Sequence, residues 1–161
     1  MTALTIGLVP ASEASAALDF LFGELDSDSR TALIEQELVR LADAHLPPWL
    51  FWSELQGQPQ GVLLVRQFPG RTAMVDRWRI AADDSAAGRM LPGLLSAAVD
   101  RARHDQLGLI QALLDPASGE QQDFLTAGFR HAADLAYLNM AVAALRSAPA
   151  DDGWQFEPVT P

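Results

Sequence analysis

The chain of 161 residues contains no cysteine, and all eleven of its basic residues are arginine. Without cysteine it forms no disulfide, no thiolate nucleophile and no cysteine-ligated metal site. Without lysine it cannot carry the phosphate-binding motif G-x-x-x-x-G-K-[ST], and it has no G-x-S-x-G elbow of a serine hydrolase. Its three histidines, His45, His104 and His131, have no partners at metal-ligand spacing. We therefore expect no metal site.

Long hydrophobic runs are also missing. No apolar stretch approaches the ~20 residues that span a bilayer. The first ten residues, MTALTIGLVP, contain no basic residue and so do not form a secretory signal. Together with the absence of cysteine, this pattern favours a cytoplasmic location.

Negative charge dominates the composition, with a formal net charge of −10. Such a protein repels nucleic acid and anionic membranes. The stretch from Arg66 to Arg103 differs, since it holds seven of the eleven arginines and only four acidic residues. A locally basic region suits a small anionic ligand, although arginines that are merely solvated would give the same pattern.

The chain is organised around the stretch Arg71–Ala102, which predicts a strand, a loop of small residues and a long amphipathic helix. Apolar residues recur at helical spacing, at Leu91, Leu94, Leu95, Ala98 and Ala102. Proline is tolerated in the first turn of a helix, so Pro92 predicts a helix that begins near Met90 or Leu91. Asp83–Arg89 would then be the loop before it, and the helix N-terminus could hold an anion.

Strands and further helices are predicted on both sides of this stretch. The predicted strands are Leu4–Val9, Trp49–Glu54, Gly61–Phe68, Arg71–Ile80, Leu107–Leu114 and Leu135–Val142. Two N-terminal helices have their apolar residues within 17–22 and 33–42, and a short one spans Gly119–Ala127 and is closed by Gly128. The near-continuous apolar run Leu107–Leu114 predicts a strand that is buried on both faces.

This order of elements resembles the GNAT superfamily of acyl-CoA-dependent N-acyltransferases. The resemblance is clearest in LLSAAVDRARHDQLGLIQALLDP and FLTAGFRHAADLAYL. It implies an α/β (α+β) fold for residues 1–145, with a central mixed, mostly antiparallel sheet of about six to seven strands flanked by four helices. It also implies that the strands Arg71–Ile80 and Leu107–Leu114 splay apart and that acetyl-CoA, or another acyl-CoA, enters the gap as cosubstrate. The implied cofactor-binding residues are Trp78, Ile80, Gly88, Arg89, Met90 and Leu91.

Two positions depart from the family pattern. The family's pyrophosphate loop, R/Q-x-x-G-x-G/A, corresponds here to 86–91, where Arg89 and Leu91 occupy the glycine positions and Gly88 comes one residue early. The tyrosine that serves many members as general acid corresponds to Phe124, which cannot donate a proton. The only tyrosine, Tyr137, and Asp76 are therefore the candidate catalytic residues, with Glu54 as a further carboxylate near the cleft.

The resemblance implies an N-acyltransferase in which a small-molecule or peptide amine attacks the thioester directly. The alternative is a catalytically degenerate GNAT-like domain that acts as a binding or assembly module. Residues 146–161 read as a linker followed by a strand-like tail, which predicts either the start of a second GNAT-like domain or a strand added to a sheet edge. Exposed edge strands would also suit a homodimer.

Overall fold

The computed structural model describes residues 4–43, 45–55, 58–81 and 84–134, except for the side chains of 84–89. The predicted strand Leu135–Val142, with Tyr137, and the tail 146–161 lie outside these residues. Within the described ranges, no helix has both the length and the apolar character needed to cross a bilayer.

Five strands and four α-helices follow one another along the described chain. The strands are β1 (Leu4–Leu8), β2 (Trp49–Leu55), β3 (Gln58–Phe68), β4 (Thr72–Ile80) and β5 (Leu109–Ala112). The helices are α1 (Ala14–Leu21), α2 (Ser27–Leu41), α3 (Asp84–His104) and α4 (Gln121–Thr126), and a 3-10 turn at Ala11–Glu13 leads into α1.

The strands form one sheet in the order β1-β2-β3-β4-β5. The first three pairings are antiparallel and the last, between β4 and β5, is parallel. A parallel pair needs a long connection, and α3 supplies it. The sheet is therefore mixed and mostly antiparallel, and β2, β3 and β4 form the predicted meander.

The two faces of the sheet are covered by different helices, because the side chains of each strand alternate between them. On one face, α3 and α4 pack on residues such as Phe51, Leu63 and Val75. On the other face, α1 packs on Leu50, Val62 and Leu64 and is itself covered by α2. The predicted apolar stripe of α3 is confirmed, since its five residues are at most 5% exposed.

The predicted start of α3 is wrong. The helix begins at Asp84, so Pro92 lies inside it and the expected loop Asp83–Arg89 is helical from Asp84 onward. Proline removes one hydrogen bond, that from its own nitrogen to the carbonyl of Gly88, and this leaves the rest of the helix intact. The strong helix formers Ala86 and Ala87 favour continuation on the N-terminal side.

The prediction that the strand near Leu109 is buried on both faces is also wrong. Leu109 is 50% exposed, Leu113 is 54% exposed, and exposed and half-buried residues alternate along β5. Within the described sheet β5 is the edge strand, and α3 covers only one of its faces.

Candidate functional site

Strands β4 and β5 separate halfway along β4. They are paired over four residues, from Thr72 opposite Leu109 to Val75 opposite Ala112. Beyond that point β4 continues to Ile80 and stays paired with β3, whereas β5 ends at Ala112. In the described part of the sheet, the edge of β4 from Asp76 to Ile80 therefore has no neighbouring strand, and its backbone groups are available to a ligand.

A cavity of about 670 Å³ lies at this open edge. One wall comes from β4, α3 and the start of α4, and includes Trp78, Ile80 and Leu91. The opposite wall comes from the end of α1 and the turn after it, with Phe22 and Glu24. The volume falls within the range of small-molecule sites, and the location is the point where the two strands part.

A β-bulge at Asp76 determines the sheet face on which Trp78 lies. The register shifts there, because Val65 pairs with Val75 while Leu64 pairs with Arg77. The extra residue re-aims the strand, so that Trp78, three residues after Val75, lies on the same sheet face as Val75. Without the bulge, strict alternation would place Trp78 on the α1 face.

The indole of Trp78 is fixed on two sides. Its Nε1–H donates a hydrogen bond of 2.8 Å to Oε1 of Glu120, the residue before α4. Its ring meets the ring of Phe124 edge to face at 5.2 Å, and Phe124 contacts Phe129 in the same way. Phe124 is 3% exposed, so the position that resembles the family's tyrosine acts here as a core residue that joins α4 to β4.

The predicted cofactor-binding residues divide into three groups. Trp78, Ile80 and Leu91 line the cavity. Met90, at 1% exposure, is buried and is not among the residues that line the cavity. Gly88 and Arg89 have helical backbone rather than the expected loop conformation, and their side chains lie outside the described atoms.

The predicted catalytic carboxylate Asp76 is engaged in an ion pair. Its Oδ2 accepts a hydrogen bond of 3.0 Å from Nε of Arg66, and its side chain is 29% exposed. Asp76 is not among the residues that line the described cavity. Glu54 lies on β2, two strands from β4, and Tyr137 lies outside the described residues.

Arg66 links Asp76 to a buried carboxylate on α2. Glu37 is 1% exposed, and its Oε1 accepts hydrogen bonds of 2.7 Å from Arg66 and 2.6 Å from Arg40. Burial lowers the pKa of the Arg66 guanidinium, but the hydrogen bonds and negative charges of Glu37 and Asp76 outweigh it and raise the pKa above its ordinary value. This network ties α2 to the bulge of β4, immediately before the strands separate.

Sequence reasoning found the charged residues of the cavity only in part. Glu120 and Asp123 border it from α4, and Arg77 and Arg79 border it from β4. Arg77 and Arg79 belong to the basic stretch Arg66–Arg103, which indicated an anionic ligand without singling them out, whereas Glu120 and Asp123 are single charges in an ordinary helix pattern. Only the bulge of β4 and the packing of α4 bring them together, and neither leaves a local signal.

No protein-family model and no curated protein sequence matches the chain. Solved structures do match. The aminoglycoside N-acetyltransferase AAC(6')-Iy in complex with CoA has a TM-score of 0.65 at 12% identity, over 87% of this chain and 96% of that one. The ribosomal-protein-alanine N-acetyltransferase of Brucella melitensis biovar Abortus 2308 has a TM-score of 0.61 at 16% identity, over 86% and 99%. A transcriptional regulator from Bacillus halodurans C-125 has a TM-score of 0.62 at 14% identity, over 86% and 100%.

At these identities the likeness shows the fold and leaves the activity open. The order of elements, the parallel pairing of β4 with β5 and the separation of these two strands agree with the resemblance noted in the sequence. The chain has the fold of the GNAT superfamily of N-acetyltransferases.

Proposed function

We propose that this protein is an acyl-CoA-dependent N-acyltransferase that transfers an acetyl group to an amine. The observation that carries the proposal is the edge of β4 from Asp76 to Ile80, which has no strand beside it in the part of the chain that the structure describes, next to a cavity of about 670 Å³. The amide groups of a pantetheine arm would pair with a free strand edge in the way that an added strand does. One structural neighbour with the same fold is described in complex with CoA.

Positioning is the main contribution that this site would make. The amine nitrogen attacks the carbonyl carbon of the thioester, a C–N bond forms, and the C–S bond breaks. The proton that the nitrogen loses passes to the thiolate, directly or through water, and gives the free thiol. Holding the two reactants in contact contributes much of the rate in such reactions.

The candidate residues for proton transfer are Asp76 as the base and Tyr137 as the acid. If Asp76 takes the proton from the amine, Asp76→Asn lowers kcat and changes the pH profile. If it serves only as the partner of Arg66, the same variant lowers stability and leaves the pH profile unchanged. The kcat and pH profile of Tyr137→Phe test whether the hydroxyl of Tyr137 protonates the thiolate.

A binding or assembly module without activity is the second candidate. It is favoured by Phe124, a buried side chain with no donor at the position where many family members have their acid. Helical backbone at Gly88 and Arg89, where a pyrophosphate loop was expected, also favours it.

Thermal unfolding with acetyl-CoA and a thiol-release assay together decide between the two. A ligand at a thousandfold excess over its Kd stabilises the fold by about 4 kcal/mol. The transferase should show this stabilisation and release free thiol when amines are added. The assay has no background from the protein, because the chain contains no cysteine. Stabilisation without thiol release from any amine would favour the module, and no stabilisation would overturn the acyl-CoA site.

A further inference from the structure

Arg77 is a cation in the cavity whose guanidinium has no acidic partner among the described residues. Its guanidinium carbon lies 5.3 Å from the centroid of the Phe22 ring, and both residues line the cavity. None of the ion pairs formed among the described residues involves Arg77. Stacking occupies the face of the guanidinium and leaves the N–H groups at its edge able to bind an anion.

The neighbouring arginine on the same side of β4 differs. Arg79 donates a hydrogen bond of 2.6 Å to the carbonyl oxygen of Phe20 and lies 3.8 Å from the carboxylate of Glu24. It also stacks on the Phe20 ring, at 5.2 Å. Arg79 therefore attaches β4 to the end of α1, whereas Arg77 keeps its hydrogen-bonding capacity for a ligand.

The cavity is also lined by acidic side chains. Glu120 and Asp123 line the cavity from α4, and Glu120 is held in place by the hydrogen bond from Trp78. The lining of the cavity thus includes a fixed carboxylate, Glu120, and a stacked guanidinium, Arg77. A ligand that carries one charge of each sign could pair with both kinds of side chain.

We infer that the acceptor carries a carboxylate close to its reactive amine, as an amino acid or a short peptide does. This inference rests on the proposed function and specifies its acceptor. Arg77 binds the carboxylate, for which a planar guanidinium is the best-matched side chain. Glu120 and Asp123 attract the ammonium group toward the open edge of β4, where the thioester is expected.

The test compares acceptors that differ only in the carboxylate. The amino acids other than cysteine, whose own thiol would be detected, and a set of cysteine-free dipeptides are assayed with saturating acetyl-CoA beside their C-terminal amides, and kcat/KM is obtained from thiol release. The wild-type protein should prefer the free carboxylate by about tenfold or more, as expected for one hydrogen-bonded ion pair. Arg77→Gln should abolish this preference, and Arg77→Lys should restore part of it.

Arg103→Gln is the matched control, because Arg103 lies on α3 with a side chain that is 75% exposed and paired with Asp100. It removes the same charge and should leave the preference intact. Circular dichroism melts establish that each variant is folded. Equal rates with acids and amides, or a preference that survives Arg77→Gln, would overturn the inference.

The experiments distinguish a wrong acceptor assignment from a wrong proposed function. If acetyl-CoA stabilises the protein and only acceptors without a carboxylate react, or none of the panel reacts, the acceptor assignment is wrong and the acyl-CoA site stands. If acetyl-CoA does not stabilise the protein, the proposed function itself is wrong.

Discussion

Removal of the buried carboxylate of Glu37 should destabilise the protein more than any surface substitution on α2. Hydrogen bonds to charged groups contribute about 1.5–3 kcal/mol each, and Oε1 of Glu37 accepts two of them, from Arg40 and Arg66. The gross loss in Glu37→Ala is therefore about 3–6 kcal/mol. The arginine side chains are 42% and 23% exposed, so water compensates them in part.

We expect a net loss of about 2–4 kcal/mol, which is at or below the range for breaking a fully buried pair. In a protein of this size that corresponds to a fall in Tm of about 4–16 °C. Glu37→Gln keeps an acceptor oxygen and should lose less, about 1–2 kcal/mol. Urea unfolding with an unchanged m-value measures both differences.

Glu35→Ala provides the control on the same helix, because Glu35 is exposed. It should change the free energy of unfolding by no more than about 0.5 kcal/mol. A double-mutant cycle with Arg66→Met should give a coupling energy above about 1 kcal/mol. The reasoning is refuted if Glu37→Ala unfolds at the wild-type urea concentration, or if the cycle shows no coupling.

Three further variants test the core, the cavity wall and a helix cap. Leu94→Ala, at a position that is 0% exposed, should lower the free energy of unfolding by about 3–5 kcal/mol, whereas Val39→Ala, at 74% exposure, should change it little; urea melts compare them. Trp78→Phe removes the hydrogen bond to Glu120 and should cost about 1 kcal/mol and weaken ligand binding, which calorimetry with acetyl-CoA checks. Asp26 caps α2 through the backbone N–H of Ser29, and this hydrogen bond lowers the pKa of its carboxyl. The charged cap therefore stabilises the fold above about pH 4 and is lost as the pH falls below this. Melts of Asp26→Ala and wild type should differ most at neutral pH and converge near pH 2, and a gap that widens on acidification would contradict this assignment.

Most of the fold could be predicted from the spacing of apolar residues along the sequence. The stripe of α3 was readable because Leu91, Leu94 and Ala98 follow helical spacing, and all three are buried. The end of α4 could be predicted because a glycine, Gly128, follows the helix. In the structure this residue has a positive φ of 93°, which glycine adopts without strain. In both cases the determining interactions lie within a few residues along the chain.

The start of α3 could not be read in the same way. The preference of proline for the first turn predicts a start near Pro92, but one proline does not end a helix that has good helix formers on its N-terminal side. The expected pyrophosphate loop depended on that boundary. The prediction from Pro92 therefore put Gly88 and Arg89 in a loop, whereas both lie in the helix.

The location of the candidate site could be predicted from the sequence, whereas the contacts made by its charged residues could not. The resemblance to the GNAT superfamily implies a cleft beside the strand that carries Trp78 and Ile80. The meeting of Arg77 with Phe22 and of Trp78 with Glu120 depends on contacts between residues more than forty positions apart. Such contacts depend on the bulge at Asp76, and no pattern in this sequence predicts that bulge.

The most direct test of the acyl-CoA site is the titration of a 15N-labelled sample with CoA, followed by amide NMR. A chain of 17.4 kDa suits this measurement. The account predicts that the largest shifts fall on Asp76–Ile80, the open edge of β4, and that Thr72–Val75, which are paired with β5, shift much less. No shifts along β4, or shifts confined to another part of the sheet, would contradict it.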